Sequence, residues 1–176
     1  MGRPPADIEM DVHPIGDHPH VIIAPTSHRL VRKSRIPLTD LADETFLTRE
    51  PGSGTRGLME QLFETARIQP KIGMAMSSNE TIKQAVIAGL GIAFISAHTV
   101  ATELDERRLV TLDVVGLPIV RQWFALSRKD KILLPPARAM LEFLSARGAQ
   151  FLPRTSISLA TTVFCGIAFS LRQRAD

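Results

Sequence analysis

Tyrosine is absent from this chain of 176 residues, and phenylalanine and tryptophan raise the aromatic share to only 5%. Single-stranded nucleic acids are held by stacking on such rings, so their scarcity argues against that class of binder. Cysteine occurs once, at Cys165, which excludes an intramolecular disulfide framework and suits a reducing cytoplasm. Charge of one sign is missing as well: 21 Lys and Arg stand against 18 Asp and Glu, a net of +3. The strongest basic cluster, Arg29, Arg32, Lys33 and Arg35, reads as a solvated turn rather than a nucleic-acid arm. No apolar h-region follows Met1-Gly2-Arg3-Pro4-Pro5, so no signal peptide is expected. The apolar stretch Ile157 to Leu171 is shorter than the roughly 20 residues a membrane-spanning helix needs, and no membrane partner is expected.

What is present is a globular composition, 44% hydrophobic and 22% charged, sufficient for one moderate domain or two small lobes. Its organising stretch is Ser77 to Ser96. Ser77, Ser78 and Asn79 are N-cap residue types, and Glu80 suits the positive end of a new helix. Ile82, Ala85, Val86 and Gly89 then recur at helical spacing and mark one buried face. Gly89 and Gly91 flank Leu90, where the helix must stop and the chain reverse, a place for positive φ. Ile92 to Ile95 follows as the apolar run expected of a strand buried on both faces. Upstream, Val21 to Ala24, Phe46 to Thr48 and Ile72 to Met76 read as strands. A helix through Leu58, Leu62, Phe63 and Ala66 joins the last two. Downstream come a short helix over His98 to Glu103, a strand from Leu109 to Val114 and a break at Gly116-Leu117-Pro118. A strand from Val120 to Leu126 and a helix from Pro135 to Gly148 follow. Strands alternating with helices predict an α/β lobe with a mostly parallel sheet.

The best ligand candidate is Arg49-Glu50-Pro51-Gly52-Ser53-Gly54-Thr55-Arg56, which leaves a strand and opens a helix. Backbone N–H groups from Ser53 to Arg56 and the partial positive charge of the helix start suit an anion there. Ser53 and Thr55 add hydroxyls, and Arg56 adds a guanidinium fork matched to carboxylate or phosphate. The competing reading is an ordinary strand-to-helix turn capped by Ser53. No Gly-Lys-Ser/Thr follows, so the loop is not a Walker A motif. Ser77 to Thr81 is a second helix N-terminus after a strand. Such ends gather at the carboxyl edge of parallel sheets, where ligands bind, although plain capping accounts for any single residue here. Catalysis is poorly supported: there is no Gly-x-Ser-x-Gly elbow, and Ser53 lacks an identifiable His and Asp partner. His13, His18 and His20 have a spacing compatible with a metal, but no Cys or second cluster accompanies them. No metal and no cofactor are therefore expected. His98 reads as a capping or packing residue.

The stretch Asn79 to Ser96 (NETIKQAVIAGLGIAFIS) resembles the effector-domain signature of LysR-type transcriptional regulators, and Arg49 to Arg56 resembles that family's glycine-rich loop. Gly16-Asp17-His18-Pro19-His20, taken with Gly116 to Trp123 (GLPIVRQW), is similar to the CbbR-type branch, regulators of carbon-fixation (RuBisCO) operons. The resemblance extends from about Gly2 to Pro153. It implies a type 2 periplasmic-binding-protein-like α/β fold, two lobes joined by crossover strands, with the first lobe incomplete. On that frame residues 1–25 are a remnant of the first lobe and a crossover strand, and 26–117 are the second α/β lobe. Residues 118–153 are the return crossover strand and a first-lobe helix, and 154–176 an atypical apolar tail. The family's helix-turn-helix, its linker helix and the opening elements of its first lobe have no counterpart here.

The same resemblance implies an effector-sensing domain of a cytoplasmic regulator, not an enzyme. Its ligand would be a small anionic, phosphorylated metabolite in the inter-lobe cleft; the family branch responds to Calvin-cycle intermediates and, in some members, a nicotinamide nucleotide. Ser53, Gly54, Thr55 and Arg56 would form half of that site, completed by Ser78, Asn79 and Thr81. Homo-oligomerisation belongs to the complete protein, and DNA contact to the absent helix-turn-helix. The rival expectations are an enzyme on the same fold and a truncated fragment with no function of its own. Loss of first-lobe elements would leave apolar faces uncovered between Val120 and Leu144, Trp123, Phe124 and Phe143 among them.

Overall fold

The longest strand is one that the sequence half conceals. In the computed structural model, which describes residues 9–153, β1 runs from Met10 to Pro25. Only its apolar end, Val21 to Ala24, looks like a strand in the sequence, because Pro14 and Pro19 lack the N–H that a ladder uses. A register shift between Pro14 and Gly16 accommodates the first of them. The first half of β1 pairs antiparallel with β6 (Ile119–Arg128), from Met10 opposite Arg128 to His20 opposite Ile119. The second half enters the lobe sheet, antiparallel to both β4 (Ala93–Ser96) and β5 (Leu109–Thr111).

β2 (Thr45–Arg49) and β3 (Lys71–Met76) pair in parallel. β2 continues to the start of β4 through a parallel bridge between Phe46 and Ile92. There the Leu47 N–H donates to the Ile92 carbonyl at 2.8 Å, and the Ile92 N–H donates to the Thr45 carbonyl at 2.9 Å. The lobe therefore reads β3-β2-β4-β1-β5 across. Four of these strands run one way, as expected of a mostly parallel sheet, and β1 alone runs against its neighbours, which makes the sheet mixed. The reason is connectivity. β2, β3 and β4 follow one another through helices, which returns the chain to the same edge each time. β1 arrives without a preceding helix, from the ribbon it shares with β6.

Two helices cover this sheet, one per face. Ile22, Ala24, Phe46, Ile92 and Phe94 point to the side where Leu58, Met59 and Phe63 of α1 (Gly54–Thr65) pack, with Phe46 and Phe63 meeting edge to face at 5.1 Å. Val21, Ile23, Leu47, Ala93 and Ile95 point the other way, onto Ile82, Ala85 and Val86 of α2 (Asn79–Ile87). The period-2 alternation in β1 and β4 thus feeds two cores, and each fully buried Ile or Phe contributes about 1.5–3 kcal/mol. Gly89 ends α2 with φ of 78°, and a side chain at Gly91 would run into the Thr45 carbonyl oxygen. Both glycines are required where the sequence reading placed the reversal. The short helix expected over His98 to Glu103 is a 3₁₀ turn at Ala97–Val100 followed by α3 (Ala101–Asp105).

α4 (Pro135–Arg147) packs outside the lobe on the β1–β6 ribbon, where Gly148 lies against Ile15. No residue of α4 is buried, and Met140 and Phe143 are exposed. Trp123 and Phe124 depart from the expectation of bare faces. Both are partly buried, and Trp123 stacks on His18 with ring centres 3.9 Å apart. The apolar stretch Ile157 to Leu171, with Cys165, lies outside the described residues. Among the described residues, no helix is long and apolar enough to cross a membrane.

Candidate functional site

A cleft of about 580 Å³ opens where β1 and β6 pass the start of α1. Its walls are His18 and His20 of β1, Arg121, Gln122 and Trp123 of β6, and Arg49, Gly52, Ser53, Gly54 and Thr55 of the β2–α1 loop. Gly52 turns that loop with φ of 88°. A second hollow, about 420 Å³, lies at the far end of α1, lined by Glu60, Glu64 and Arg67.

The start of α1 is open. Ser53 takes the extended N-cap conformation, yet its side chain makes no capping hydrogen bond. The first bond of the helix runs from the Gly57 N–H to the Ser53 carbonyl at 2.9 Å. The N–H groups of Gly54, Thr55 and Arg56 are therefore left without intrahelical acceptors, beside the positive end of the dipole. α2 begins differently: the Ser78 hydroxyl accepts from the Thr81 N–H at 3.5 Å. Of the two helix N-termini singled out in the sequence, one is filled by its own cap and the other is free.

The structure gathers Ser53, Gly54 and Thr55 at the cleft wall and does not bring the other candidates there. Arg56 turns along its helix, its Nε donating to Glu60 at 2.7 Å and its Nη1 to the Arg49 carbonyl at 3.3 Å. Ser78, Asn79 and Thr81 start the helix on the opposite face of the sheet. Arg49 connects the two regions, since its Nη1 donates to the Asn79 side-chain oxygen at 2.8 Å. Its other donors form a fork on Glu50, both at 2.8 Å, so its charge is already countered.

Arg121 is the cation left over. It stands directly opposite His18 in the β1–β6 ladder and makes no ion pair or side-chain hydrogen bond among the described residues. The imidazoles it acts on, His18 and His20, are held neutral. Burial, then the charges of His20, His98 and Arg121, push His18 down to about 3. Burial pushes His20 down to about 4, with a hydrogen bond to the His18 carbonyl opposing it and Arg121 and His98 adding to it. His98 is also lowered by burial, against the pull of Asp17. Trp123 closes the array, donating from Nε1 to the His98 Nδ1 at 3.3 Å. The His18 Nε2 is buried without a hydrogen-bond partner, as are the hydroxyls of Thr48 and Ser96. Thr48 follows Phe46 at strand spacing, and Ser96 lies opposite His20, so both hydroxyls share the α1 face at the carboxyl ends of β2 and β4.

His18, His20, Arg121, Gln122 and Trp123 are cleft residues that the sequence reading did not place at a ligand site, whereas Arg49 belongs to the loop it singled out. The available signal was alternation: His18 with His20, and Arg121 with Trp123, each share one face of a strand. The His13, His18 and His20 spacing does not become a metal cluster among the described residues. The basic cluster is partly consumed by ion pairs, Arg29 with Glu44 and Lys33 with Asp40.

A mixed-sheet α/β lobe entered and left by long antiparallel strands, with its cleft at the carboxyl ends of the strands, is of the type 2 periplasmic-binding-protein-like class. Within that class, the chain belongs to the family described as LysR substrate binding domain, whose model matches residues 1–149. It is 56% identical over 156 residues to the HTH-type transcriptional regulator CbbR of Xanthobacter flavus, covering 88% of this chain and 47% of that one. It is 46% identical over 150 residues to the RuBisCO operon transcriptional regulator of Allochromatium vinosum, covering 85% of this chain and 50% of that one. The chain thus spans about half the length of the curated relatives it matches. Among solved structures, the regulatory domain of CcmR from Synechocystis PCC6803, in complex with 2-PG, superposes with a TM-score of 0.80. It is 36% identical and is matched over 88% of this chain and 74% of that one.

Proposed function

We propose that this chain is an effector-sensing module of a transcriptional regulator of carbon-fixation genes, binding a small anionic, phosphorylated metabolite in the cleft beside α1. The observation that carries the reading is Arg121, a guanidinium with no counter-ion among the described residues, facing a cleft whose other end is an uncapped helix N-terminus. An anion placed there would complete both. The relatives support the biological half of the reading: they are regulators of the CbbR and RuBisCO-operon kind, and the CcmR domain holds 2-PG. Ser53, Gly54 and Thr55 are the direct contacts, with Arg56, Ser78, Asn79 and Thr81 behind them through Arg49. Residues 118–153 and the chain start stand for the first lobe, and 26–117 for most of the second. In the longer regulator, effector binding would shift a cytoplasmic homo-oligomer between two arrangements on DNA, held through a helix-turn-helix.

Trp123 is the only tryptophan of the chain and lines the cleft, so its emission reports occupancy. Titration with ribulose bisphosphate, phosphoglycolate and inorganic phosphate should change that emission saturably. Arg121→Gln should weaken the effective ligand by about 10- to 100-fold, the worth of a charge-assisted hydrogen bond. Saturable binding unchanged in Arg121→Gln would move the anion elsewhere.

A further inference from the structure

The cleft offers an anion its cation and its N–H groups, yet its most buried polar wall offers the opposite. His20 is 3% exposed, and its Nδ1 lies 3.1 Å from the His18 carbonyl oxygen. A carbonyl only accepts, so Nδ1 carries the proton. With the ring neutral, Nε2 is a bare lone pair, and it has no hydrogen-bond partner among the described residues. The ring is fixed in this sense by its neighbours. It stacks on Phe94 at 5.5 Å and tilts against His18 at 4.2 Å, while Arg121 opposes any added proton. The titratable and charged groups around the pair are Arg121 of β6, His98 after β4, Arg49 of the loop and Asp17 of β1, and none of them makes a hydrogen bond to Nε2. The buried, unpartnered Nε2 of His18 is the second sign that this wall awaits a polar group. A fully ionised phosphate or carboxylate oxygen cannot supply what His20 requires, because both sides would be acceptors.

We propose that His20 is the specificity-determining residue of this cleft. Its Nε2 accepts a hydrogen bond from a hydroxyl carried next to the ligand's anionic group, so hydroxylated phospho compounds are selected over their deoxy counterparts. The inference rests on the anion reading above and adds the neutral half of recognition. Arg121 and the α1 N-terminus hold the charge; His20 reads the carbon next to it. A deoxy ligand covers that lone pair without pairing it, which is where discrimination arises.

The test uses the whole chain and two matched pairs: glycerol 3-phosphate against propyl phosphate, and 3-phosphoglycerate against 3-phosphooxypropionate, each titrated by calorimetry. The hydroxylated member of at least one pair should bind about 3- to 10-fold tighter, and His20→Phe should bring that ratio to about one, with the larger loss on the hydroxylated member. His20→Gln, which keeps an acceptor, should restore part of the preference. A purely structural role would weaken both members alike and leave the ratio intact. Should His20→Phe fail to melt cooperatively, nitrogen-15 shifts of His20 in the unmodified chain decide the matter. They should show Nε2 unprotonated in the free protein and shifted by the hydroxylated ligand alone. Equal affinities within both pairs, or a proton on Nε2, would overturn the inference and leave the anion site standing. No binding of any of these compounds or of inorganic phosphate would overturn both.

Discussion

His18 and His20 are the residues whose chemistry departs most from their usual range, and the departure has a sign that can be measured. Both rings titrate below the 6.5 of an unfolded histidine, at about 3 and about 4. The folded chain therefore binds fewer protons than the unfolded one in that interval. Their contribution to stability is complete above about pH 6.5 and is lost as pH falls through the folded values. By about pH 5 the loss amounts to about 2 kcal/mol for each ring. Urea unfolding at about pH 7.5 and at about pH 5 should show this fall, and His20→Gln should remove roughly half of it. An equal loss in the variant would assign the acid sensitivity to other groups. Arg121 shows the same dependence on neighbours: as a letter in the sequence it is one of 21 basic residues, and only its position opposite His18, without a counter-ion among the described residues, makes it a ligand candidate.

At the scale of elements, the two helix starts have similar sequences and different states. Ser53 and Ser78 are both N-cap serines in extended conformation, but only the Ser78 hydroxyl turns back onto its helix. Ser78→Ala should therefore destabilise the chain by about 1 kcal/mol, and Ser53→Ala by no more than a few tenths, read from denaturation midpoints. Equal losses would mean that α1 closes its own cap in solution. The helix starts, the glycine reversal at Gly89 and Gly91, and the buried β4 were legible because each is set by residues within a few positions of one another. Most of β1 was not, because what holds Pro14 and Pro19 in an extended strand is the β6 ladder, supplied from far along the chain.

The whole molecule carries an apolar surface that the lobe does not cover. Ile132, Leu134, Met140 and Phe151, at 91%, 72%, 58% and 64% exposed, lie on and beside α4, which buries none of its own residues. Apolar side chains gathered in this way favour association. Sedimentation should show a concentration-dependent species larger than the monomer. Ile132→Lys combined with Met140→Lys should shift it toward monomer without lowering the melting temperature, since neither side chain is buried. A chain that is monomeric at every concentration would contradict this reading of the α4 face.

By itself the sequence determined the α/β class, the two helix starts and the glycine-rich loop Arg49 to Arg56 as an anion candidate, from local patterns: capping chemistry, spacing along one helix face, apolar runs of strand length. The LysR family came from the resemblance of Asn79 to Ser96 and of Arg49 to Arg56 to that family's motifs. Tertiary structure decided the rest. The direction of β1 shows in its antiparallel pairing with β4 and β5, the open start of α1 beside the capped start of α2 in how Ser53 and Ser78 turn, and the meeting of His18, His20, Arg121 and Trp123 in the pairing of β1 with β6. The physical reason is that an imidazole's proton and an arginine's counter-ion are settled by burial and by whatever stands a few ångströms away, and those neighbours are brought from distant parts of the chain.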